Sequence, residues 1–388
     1  MEDKDKLREI LRISLELNGI NDLDILLERI LLEARRSTGA DAGTIYTKEG
    51  NELQFRHAQN DTLQARLKKG DKLIYTSYTV PVNRNSIAGY VAETGESLNI
   101  VDVYDISGTE YKFDGRYDEK SGYKTSSMLT APITSGSGEI LGVVQLINKF
   151  TNMGDIIEFS QDDELFLKHF AQTSASALQK ARMTRTLLMR MIQMAELRDP
   201  KETGAHVNRV AAYSVEIYER WAANKGIPKS IIDRNRDILR MAAMLHDVGK
   251  VGISDVILKK PAKLTPDEYD IMKLHTTFGS RLFSNFESDF DRMASVIAGT
   301  HHENWDGSGY PDKPKGDEIP VFGRIVAVAD VYDALSCKRA YKEAWAEEDV
   351  LNEIKKLSGS KFDPEVVDAF MASLDVIRSI SENYKDTE

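Results

Sequence analysis

Hydrophobic positions near the start of the chain recur at helical spacing. Between Asn21 and Ser37, apolar residues fall three or four positions apart: Leu23, Leu26, Leu27, Ile30, Leu31 and Ala34. This spacing places them on one face of a helix, which is the face expected to be buried. A shorter amphipathic stretch from Lys6 to Gly19 comes before it. The pattern therefore predicts two amphipathic helices at the beginning of the chain.

From Ala42 to Ile147 the pattern changes to short β-branched and aromatic runs that Gly, Asn and Asp interrupt. Such runs are typical of strands separated by turns. The predicted strands are Ala42–Tyr46, Thr79–Val82, Leu98–Val101, Met128–Ile133 and Leu141–Ile147. Gly50-Asn51 and Ser135–Gly138 indicate hairpin turns, and Ser86–Thr94 indicates a short helix. This region is predicted to be an α+β domain around an antiparallel sheet.

One long helical run without Pro or Gly extends from Gln161 to Arg198. Ser160 and Asp163 form a variant of the capping box at its start. Within it, steps of four and three residues define a seam with several small and polar members: Phe170, Ser174, Ala177, Ala181, Thr184, Leu188, Met191 and Ala195. The seam predicts a homodimer through a parallel coiled coil. A helix packed against its own domain is the alternative.

After Asp199 the pattern is helical almost throughout. The candidate helices are Arg236–Val248, Asp267–Phe286, Asp291–His302, Phe322–Leu335, Glu347–Lys356 and Pro364–Ser373. Asp199-Pro200 marks a boundary, because proline normally begins or breaks a helix. The predicted divisions are a helical leader over residues 1–20, the α+β domain over 21–160, a connecting and dimerisation helix over 161–198, and an all-α domain over 199–388.

Composition narrows the function classes. The 388 residues include 51 Lys+Arg and 62 Asp+Glu, which gives a net charge of −11 and argues against general DNA or RNA binding. No apolar run approaches the roughly 20 residues that span a bilayer, and the charged first residues lack the apolar core of a signal peptide. The single cysteine, Cys337, fits a reducing compartment. We therefore expect a cytoplasmic protein that binds neither DNA nor a membrane.

Histidines and carboxylates cluster in the C-terminal half. Five of the seven histidines lie between His206 and His302. Apolar helical stretches in this region carry or precede polar residues, as at His246-Asp247, His301-His302 and Asp330. Charged residues are rarely buried unless they are paired or bind metal. The pattern therefore predicts an internal metal site, whereas the remaining two histidines, His57 and His169, are interpreted as structural.

The number and type of these side chains constrain the metals. The candidate ligands are His206, His246, Asp247, His275, His301, His302 and Asp330. They exceed the four ligands of one tetrahedral ion, which predicts at least two metals with Asp247 as a bridge. A zinc site closed by cysteines is excluded, and mixed nitrogen and oxygen ligands suit iron or manganese, with zinc, nickel and cobalt possible. Two adjacent metals can clamp a phosphoryl group from both sides, so phosphodiester hydrolysis is the favoured reaction.

The motifs around these residues resemble the HD-domain metal-dependent phosphohydrolases. His206, His246-Asp247 and Asp330 match the H…HD…D pattern of that family. The segment His301–Pro311, with its Gly309-Tyr310-Pro311 ending, resembles the signature of the HD-GYP branch, a family of cyclic di-GMP phosphodiesterases. The resemblance implies hydrolysis of cyclic di-GMP to pGpG and onward to GMP. It also implies two or three divalent transition-metal ions, with iron as the first choice and manganese as the next.

The same resemblance implies roles for individual residues. It makes Glu196 a further ligand associated with a third metal, and it makes Asp247 and Lys250 the catalytic residues. Lys250 is expected at the scissile phosphate, where it can stabilise developing charge. Arg209 is expected to orient a ligand or reach a phosphate, and Asp333 to support a ligand. The predicted substrate-binding residues are Gly309, Tyr310, Pro311, Arg339 and Lys342.

The region over residues 21–164 resembles a GAF domain. The match rests on Asn148-Lys149, Phe159 and Asp163-Glu164, which follow the N-K…F-x-x-x-D-E pattern of GAF domains in cyclic-nucleotide phosphodiesterases. Lys149 and Asp163 are expected to pair. The sequence identifies no ligand for this domain. Ligand sensing and ligand-free dimerisation therefore both stay open.

Three functions compete at this point. The leading hypothesis is a cyclic di-GMP phosphodiesterase regulated by the GAF domain. The alternative is a catalytically silent cyclic-dinucleotide receptor that signals through protein contacts, which the complete ligand set argues against. A third is an HD phosphohydrolase that acts on another nucleotide, which the Gly309-Tyr310-Pro311 segment and Arg339 argue against.

Overall fold

The computed structural model describes residues 11–68, 70–75, 77–151, 153–198, 203–337 and 344–384, with only the backbone of Glu196. The chain divides into two compact units, Met1–Arg185 and Thr186–Glu388. The division falls inside the long helix that the sequence predicts. The finer division into a leader, two domains and a connecting helix stays a prediction.

The first unit is an α+β fold, as predicted. A helical stretch over residues 11–18 comes first. It is followed by α1 (Leu23–Thr38), β1 (Ala40–Glu49), β2 (Glu52–Asn60), α2 (Asp61–Gln64), β3 (Thr79–Pro81), α3 (Ile87–Thr94), β4 (Leu98–Ile100), α4 (Arg116–Ser121), β5 (Met128–Thr134), β6 (Ile140–Phe150) and β7 (Ile156–Ile157).

The strands form one antiparallel sheet in the order β3-β2-β1-β6-β5-β4, and β7 pairs with β6. Both predicted hairpins are confirmed, because β1 pairs with β2 across Gly50-Asn51 and β5 pairs with β6 across Ser135–Gly138. Strands β2 and β7 are not predicted by the sequence pattern. Strand β2 reads Glu-Leu-Gln-Phe-Arg-His-Ala-Gln-Asn, so polar residues dominate its pattern and hide the strand.

Helix α1 packs its apolar face into the core of this unit. Asp22 caps its first turn by accepting hydrogen bonds from two backbone N–H groups, and Gly39 ends it in the left-handed conformation with φ of 73°. Leu26, Leu27 and Ile30 are fully buried. Complete burial of one such side chain contributes about 1.5–3 kcal/mol to folding. The predicted amphipathic helix is therefore confirmed.

The long predicted helix is α5 (Gln161–Glu196). Its capping box is confirmed: Ser160 N donates to Asp163 Oδ2 at 2.8 Å, and Asp163 N donates to Ser160 Oγ at 3.2 Å. Over the first half of the helix, the seam residues do not form an exposed surface that could pair with a second chain. Phe170, Ala177 and Ala181 are buried in the core of their own unit, which matches the alternative of a helix packed on its own domain.

The second unit is helical, as predicted. It contains α6 (Gly204–Asn224), α7 (Lys229–Ala243), a 3₁₀ helix (Val248–Gly252), α8 (Asp255–Leu258), α9 (Pro266–Leu282), α10 (Asp289–Thr300), a second 3₁₀ helix (Gly316–Glu318), α11 (Val321–Ser336), α12 (Glu347–Lys356), α13 (Pro364–Met371) and α14 (Leu374–Asn383). No strand occurs in 203–337 or 344–384, the parts of this region that the structure describes. Helices α6 and α14 had no candidate in the sequence analysis.

The core of the second unit lies between α6, α7, α10, α11 and α13. Helix α11 is apolar almost all round, and Ile325, Val326, Val328 and Ala329 are fully buried. Such a helix belongs in the middle of a fold, because it has no polar face to turn to water. Asp330 follows this buried run directly, so the helix delivers a carboxylate to the interior. No helix in the described parts of the chain has the length and apolarity that a membrane span needs.

Candidate metal centre

The structure brings seven of the predicted ligands into two groups. The first group consists of His206, His246 and Asp330, and the second group consists of Asp247, His275, His301 and His302. Within each group the potential ligand atoms lie within 4.8 Å of one another. His57 and His169 lie outside both groups, in agreement with their structural interpretation.

His206 reaches the first group from the first turn of α6. Its backbone N–H donates to Thr203 Oγ1 at 3.1 Å, which begins the helix at this point. Its ring Nδ1 lies 2.8 Å from Asp333 Oδ2, and its Nε2 lies 3.7 Å from Asp330 Oδ1. Arg209 makes a bidentate ion pair with Asp333, with Nε 2.6 Å from Oδ1 and Nη2 3.0 Å from Oδ2. Asp333 and Arg209 therefore orient His206.

Three further histidines share a common geometry. The Nδ1 atoms of His246, His275 and His301 lie 2.9, 2.7 and 3.0 Å from backbone carbonyl oxygens one turn earlier. A ring nitrogen that donates to a carbonyl carries the hydrogen, which leaves the Nε2 lone pair available. Each of these Nε2 atoms is buried without a hydrogen-bond partner among the described residues. This is the arrangement that a metal-ligating histidine requires.

Asp247 lies between the two groups. Its Oδ1 is 3.2 Å from His275 Nε2 and 3.5 Å from His301 Nε2, while its Oδ2 is 3.5 Å from His246 Nε2. Burial alone would raise the pKa of Asp247, but Lys250 and the adjacent imidazoles outweigh it and hold that pKa well below its usual range. The carboxylate is therefore ionised and faces both groups, which is the position of a bridging ligand.

Lys250 contacts Asp247 from a 3₁₀ helix that the sequence pattern does not predict. The predicted helix Arg236–Val248 is wrong at both ends, because α7 runs from Lys229 to Ala243 and Lys250 lies in a 3₁₀ helix. The tighter turn still directs Lys250 Nζ to 2.7 Å from Asp247 Oδ2. Gly249 makes this packing possible, since a Cβ there would lie 1.9 Å from the carbonyl oxygen of His275.

His302 completes the second group beside the Gly309-Tyr310-Pro311 segment. Burial and the adjacent His301 lower the pKa of His302 well below its usual value, so its ring is neutral and able to bind metal. The ring of Tyr310 lies against it, with centroids 4.9 Å apart and planes 34° apart. The Tyr310–Pro311 peptide bond is cis. Lys273, which is not among the predicted site residues, places its ammonium group 5.8 Å from the centre of the Tyr310 ring.

Three predicted site residues lie outside what the structure describes. Arg339 and Lys342 fall in 338–343, and for Glu196 only the backbone is described. Their assignments as substrate-binding and metal-binding residues stay predictions. Helix α11, which carries Asp330, ends at Ser336.

The residues present fit divalent metal ions. The buried Nε2 atoms of His246, His275 and His301, which have no hydrogen-bond partner among the described residues, lie near the carboxylates of Asp247 and Asp330. Desolvated polar groups of this kind are unfavourable unless something binds them. The donors are nitrogen and oxygen, which suits transition metals such as iron, manganese or zinc. His206, His246 and Asp330 would hold one ion, and His275, His301 and His302 another, with Asp247 shared between them.

The first unit contains the predicted pair and a large cavity. Lys149 and Asp163 form an ion pair, as expected. The side chain of Asn148, whose φ is +53°, donates to the carbonyl of Lys124 at 2.8 Å and accepts from Ser126 N at 2.7 Å. A separate cavity of about 720 Å³ opens beside the sheet. Its lining is strongly aromatic, with Tyr46, Phe55, Tyr75, Tyr78 and Tyr117.

Comparison with protein families assigns each half of the chain to a known domain family. Residues 22–178 match the GAF domain family, and residues 178–366 match the HD domain family. The two matches meet within α5. A solved GAF domain from a phosphoenolpyruvate-protein phosphotransferase of Coxiella burnetii aligns with 47% of this chain and 96% of its own, at 19% identity and a TM-score of 0.36.

Curated relatives point to one class of enzyme. A 3′3′-cGAMP-specific phosphodiesterase 2 of Vibrio cholerae is 42% identical over 186 residues, covering 48% of this chain and 34% of its own length. A cyclic di-GMP phosphodiesterase of Thermotoga maritima is 43% identical over 195 residues, covering 50% of each chain. This chain thus spans half or less of these two relatives. Together with the motifs and the geometry, the matches identify the chain as a GAF domain joined to an HD domain of the HD-GYP type.

Proposed function

We propose that this protein is a metal-dependent phosphodiesterase that hydrolyses cyclic di-GMP to pGpG and onward to GMP. The observation that carries the proposal is the position of Asp247, whose two oxygens face two separate groups of buried imidazoles. The names of the relatives favour a cyclic dinucleotide as the substrate. The metals, when bound, would activate water and polarise the phosphoryl oxygens.

The protein's own residues then have distinct tasks. Asp333 and Arg209 hold the His206 ring in one orientation, and backbone carbonyls do the same for His246, His275 and His301. The positively charged Lys250, adjacent to Asp247, is proposed to stabilise the negative charge that develops on the phosphoryl oxygens during hydrolysis. Gly309, Tyr310, Pro311, Arg339 and Lys342 are proposed to contact the nucleotide. Iron is the proposed metal, and manganese the next choice.

A panel of nucleotides tests the proposal. The wild-type protein, supplied with Mn²⁺ or Fe²⁺ under reducing conditions, is incubated separately with cyclic di-GMP, 3′3′-cGAMP and GTP. We expect linear products from cyclic di-GMP faster than from the other two. Faster cleavage of GTP would overturn the substrate assignment while leaving the metal chemistry in place. Tight binding of cyclic di-GMP without linear product, under every metal and redox condition, would instead favour the receptor.

The protein is also proposed to form a parallel dimer through α5, over a stripe that shares only Met191 with the predicted seam. The second half of α5 and the turn after it expose four apolar side chains at spacings of four and three residues: Leu187, Met191, Met194 and Leu197. They are 42–80% exposed. An apolar helical stripe of this kind is typical of helix pairing.

A cytoplasmic location also stays a prediction.

The dimer leads to a direct test. Replacing Leu187 and Met194 together with lysine is expected to convert a dimer to a monomer, because it places charges in the apolar stripe. Sedimentation velocity at micromolar concentration, with metal present, measures the change. Gln193→Lys is the control, since Gln193 is exposed outside the stripe. A wild-type monomer under these conditions, or a double variant that stays dimeric, would contradict the proposal.

The GAF domain is proposed to regulate the enzyme by binding a small ligand. The cavity of about 720 Å³ falls in the size range of ligand sites, and aromatic side chains form much of its lining. Phe55 and Tyr78 stack at 4.9 Å, and the buried Gln145 adds a polar group to the lining. These features favour sensing over a ligand-free dimerisation role. The identity of the ligand is left open.

A further inference from the structure

Four of the five histidines in the two groups are oriented in the same way, and His302 differs. His206, His246, His275 and His301 each place Nδ1 2.7–3.0 Å from an oxygen that accepts its hydrogen. Within the described part of the chain, neither ring nitrogen of His302 makes a hydrogen bond. A metal-ligating histidine needs its ring direction fixed. Something other than a hydrogen bond must therefore fix this ring.

Ring contacts supply that constraint. The His302 ring lies 4.1 Å from the His301 ring and 5.1 Å from the His275 ring, both of which are anchored to backbone carbonyls. Tyr310 covers it at 4.9 Å, with the two planes tilted by 34°. Tyr310 also meets the His275 ring nearly edge-on, at 6.3 Å and 81°. Of these neighbours, only Tyr310 is not itself a predicted ligand, so it is the one that supports His302 from outside the metal site.

The backbone around Tyr310 is tied to the segment that carries His302. Tyr310 N donates to the carbonyl oxygen of His302 at 3.2 Å. Gly309 packs so closely that a Cβ there would lie 2.6 Å from the Cα of Glu303 and 2.3 Å from Asn304 N. Any larger residue at 309 would push the turn away. The position of the Tyr310 ring is therefore set by the residues that directly follow His302.

Glu303 secures the other side of the turn. Its Oε1 accepts hydrogen bonds from the backbone N–H groups of Asp312, at 2.7 Å, and Lys313, at 3.1 Å. The residue is only 3% exposed, and its Oε2 has no hydrogen-bond partner among the described residues. Burying a carboxylate is unfavourable for folding unless hydrogen-bond donors compensate it, and these two N–H groups do so. Glu303 therefore ties the chain after Pro311 to the segment that carries His302.

We propose that Tyr310, held in place by Glu303, is a positioning residue that orients His302 for metal binding in the second group. The inference rests on the proposed metal centre and deepens it. It gives the Gly309-Tyr310-Pro311 segment a task in metal binding, in addition to the nucleotide contact proposed above. It also gives a role to Glu303, which sequence alone does not distinguish from an ordinary helix-end charge.

Two pairs of variants test this inference by metal binding without nucleotide. Tyr310→Leu and Glu303→Ala remove the ring and the acceptor oxygen, whereas Tyr310→Phe and Glu303→Gln keep them. Mn²⁺ is titrated into chelator-treated protein, and bound metal is followed by electron paramagnetic resonance. We expect the first pair to weaken one of the two sites about 10–100-fold, the usual effect of losing a residue that supports a ligand. We expect the second pair to bind Mn²⁺ like the wild type.

Control variants distinguish the loss of a positioning residue from general damage to the fold. His302→Ala sets the effect of losing the ligand itself, and Tyr310→Leu should fall between it and the wild type. Tyr111→Leu is the matched control, because its ring contacts Tyr90 in the first unit and makes no ring contact with a histidine in the described chain. Wild-type Mn²⁺ affinity at both sites in Tyr310→Leu and Glu303→Ala would overturn the inference. Equal losses in Tyr310→Phe and Tyr310→Leu would also overturn it. Neither result depends on which nucleotide is the substrate.

Discussion

Asp247→Ala is expected to abolish hydrolysis of cyclic di-GMP and to remove at least one metal ion per chain. The substitution deletes both oxygens that face the two groups, at 3.2 Å from His275 Nε2 and 3.5 Å from His246 Nε2. Losing a residue that merely supports a ligand costs about 10–100-fold in metal affinity or activity. Loss of the shared carboxylate itself should exceed that range. Turnover and elemental analysis of the same preparation measure both effects.

The control for this variant is Asp375→Ala. Asp375 is 82% exposed in its side chain and pairs with Arg378 on α14, away from both groups. Removing an exposed ion pair of this kind changes stability by under about 1 kcal/mol, so activity and metal content should stay at the wild-type level. If Asp247→Ala kept two metals per chain and full turnover, Asp247 would not be the shared ligand.

Lys250→Met is expected to lower the catalytic rate and to leave the number of bound metal ions unchanged. Methionine keeps most of the length of the side chain but removes the charge that lies 2.7 Å from Asp247 Oδ2. Removing one group that stabilises transition-state charge typically lowers kcat by about 10²–10³-fold. KM should change much less, because the interaction strengthens as charge develops. Steady-state kinetics with cyclic di-GMP, together with a metal count, measure the difference.

A charge-conserving variant sharpens this prediction. Lys250→Arg keeps the positive charge, so it should retain more activity than Lys250→Met, although the larger guanidinium fits the site less well. A higher KM with unchanged kcat in Lys250→Met would instead make Lys250 a simple phosphate contact. Loss of bound metal in that variant would show that the lysine acts through Asp247.

The candidate ligands could be selected from sequence because of where they occur. His246-Asp247, His301-His302 and Asp330 follow or interrupt apolar helices, and polar residues in such places are rarely without a partner. Their separation into two groups could not be predicted, since it depends on how helices far apart in the chain pack together. The close approach of Gly249 to the His275 carbonyl is one such contact.

Other features were missed for identifiable physical reasons. Glu303 looks like an ordinary helix-end charge, because its burial and its two backbone partners appear only when the chain after Pro311 folds back. Strand β2 has too few apolar residues to stand out. The seam of α5 was predicted to face a second chain, but Phe170 and Ala177 pack into their own unit. Periodicity shows that a helix face is buried, not which surface covers it.

The central claim is that two adjacent metal sites cleave a cyclic dinucleotide. The most direct measurement titrates Mn²⁺ into chelator-treated wild-type protein under reducing conditions, and follows bound metal and linear product from cyclic di-GMP in the same samples. The account predicts no pGpG before metal is added and full turnover only once at least two equivalents are bound per chain. A protein that binds two equivalents of metal and binds cyclic di-GMP, yet releases no pGpG or GMP, would contradict it.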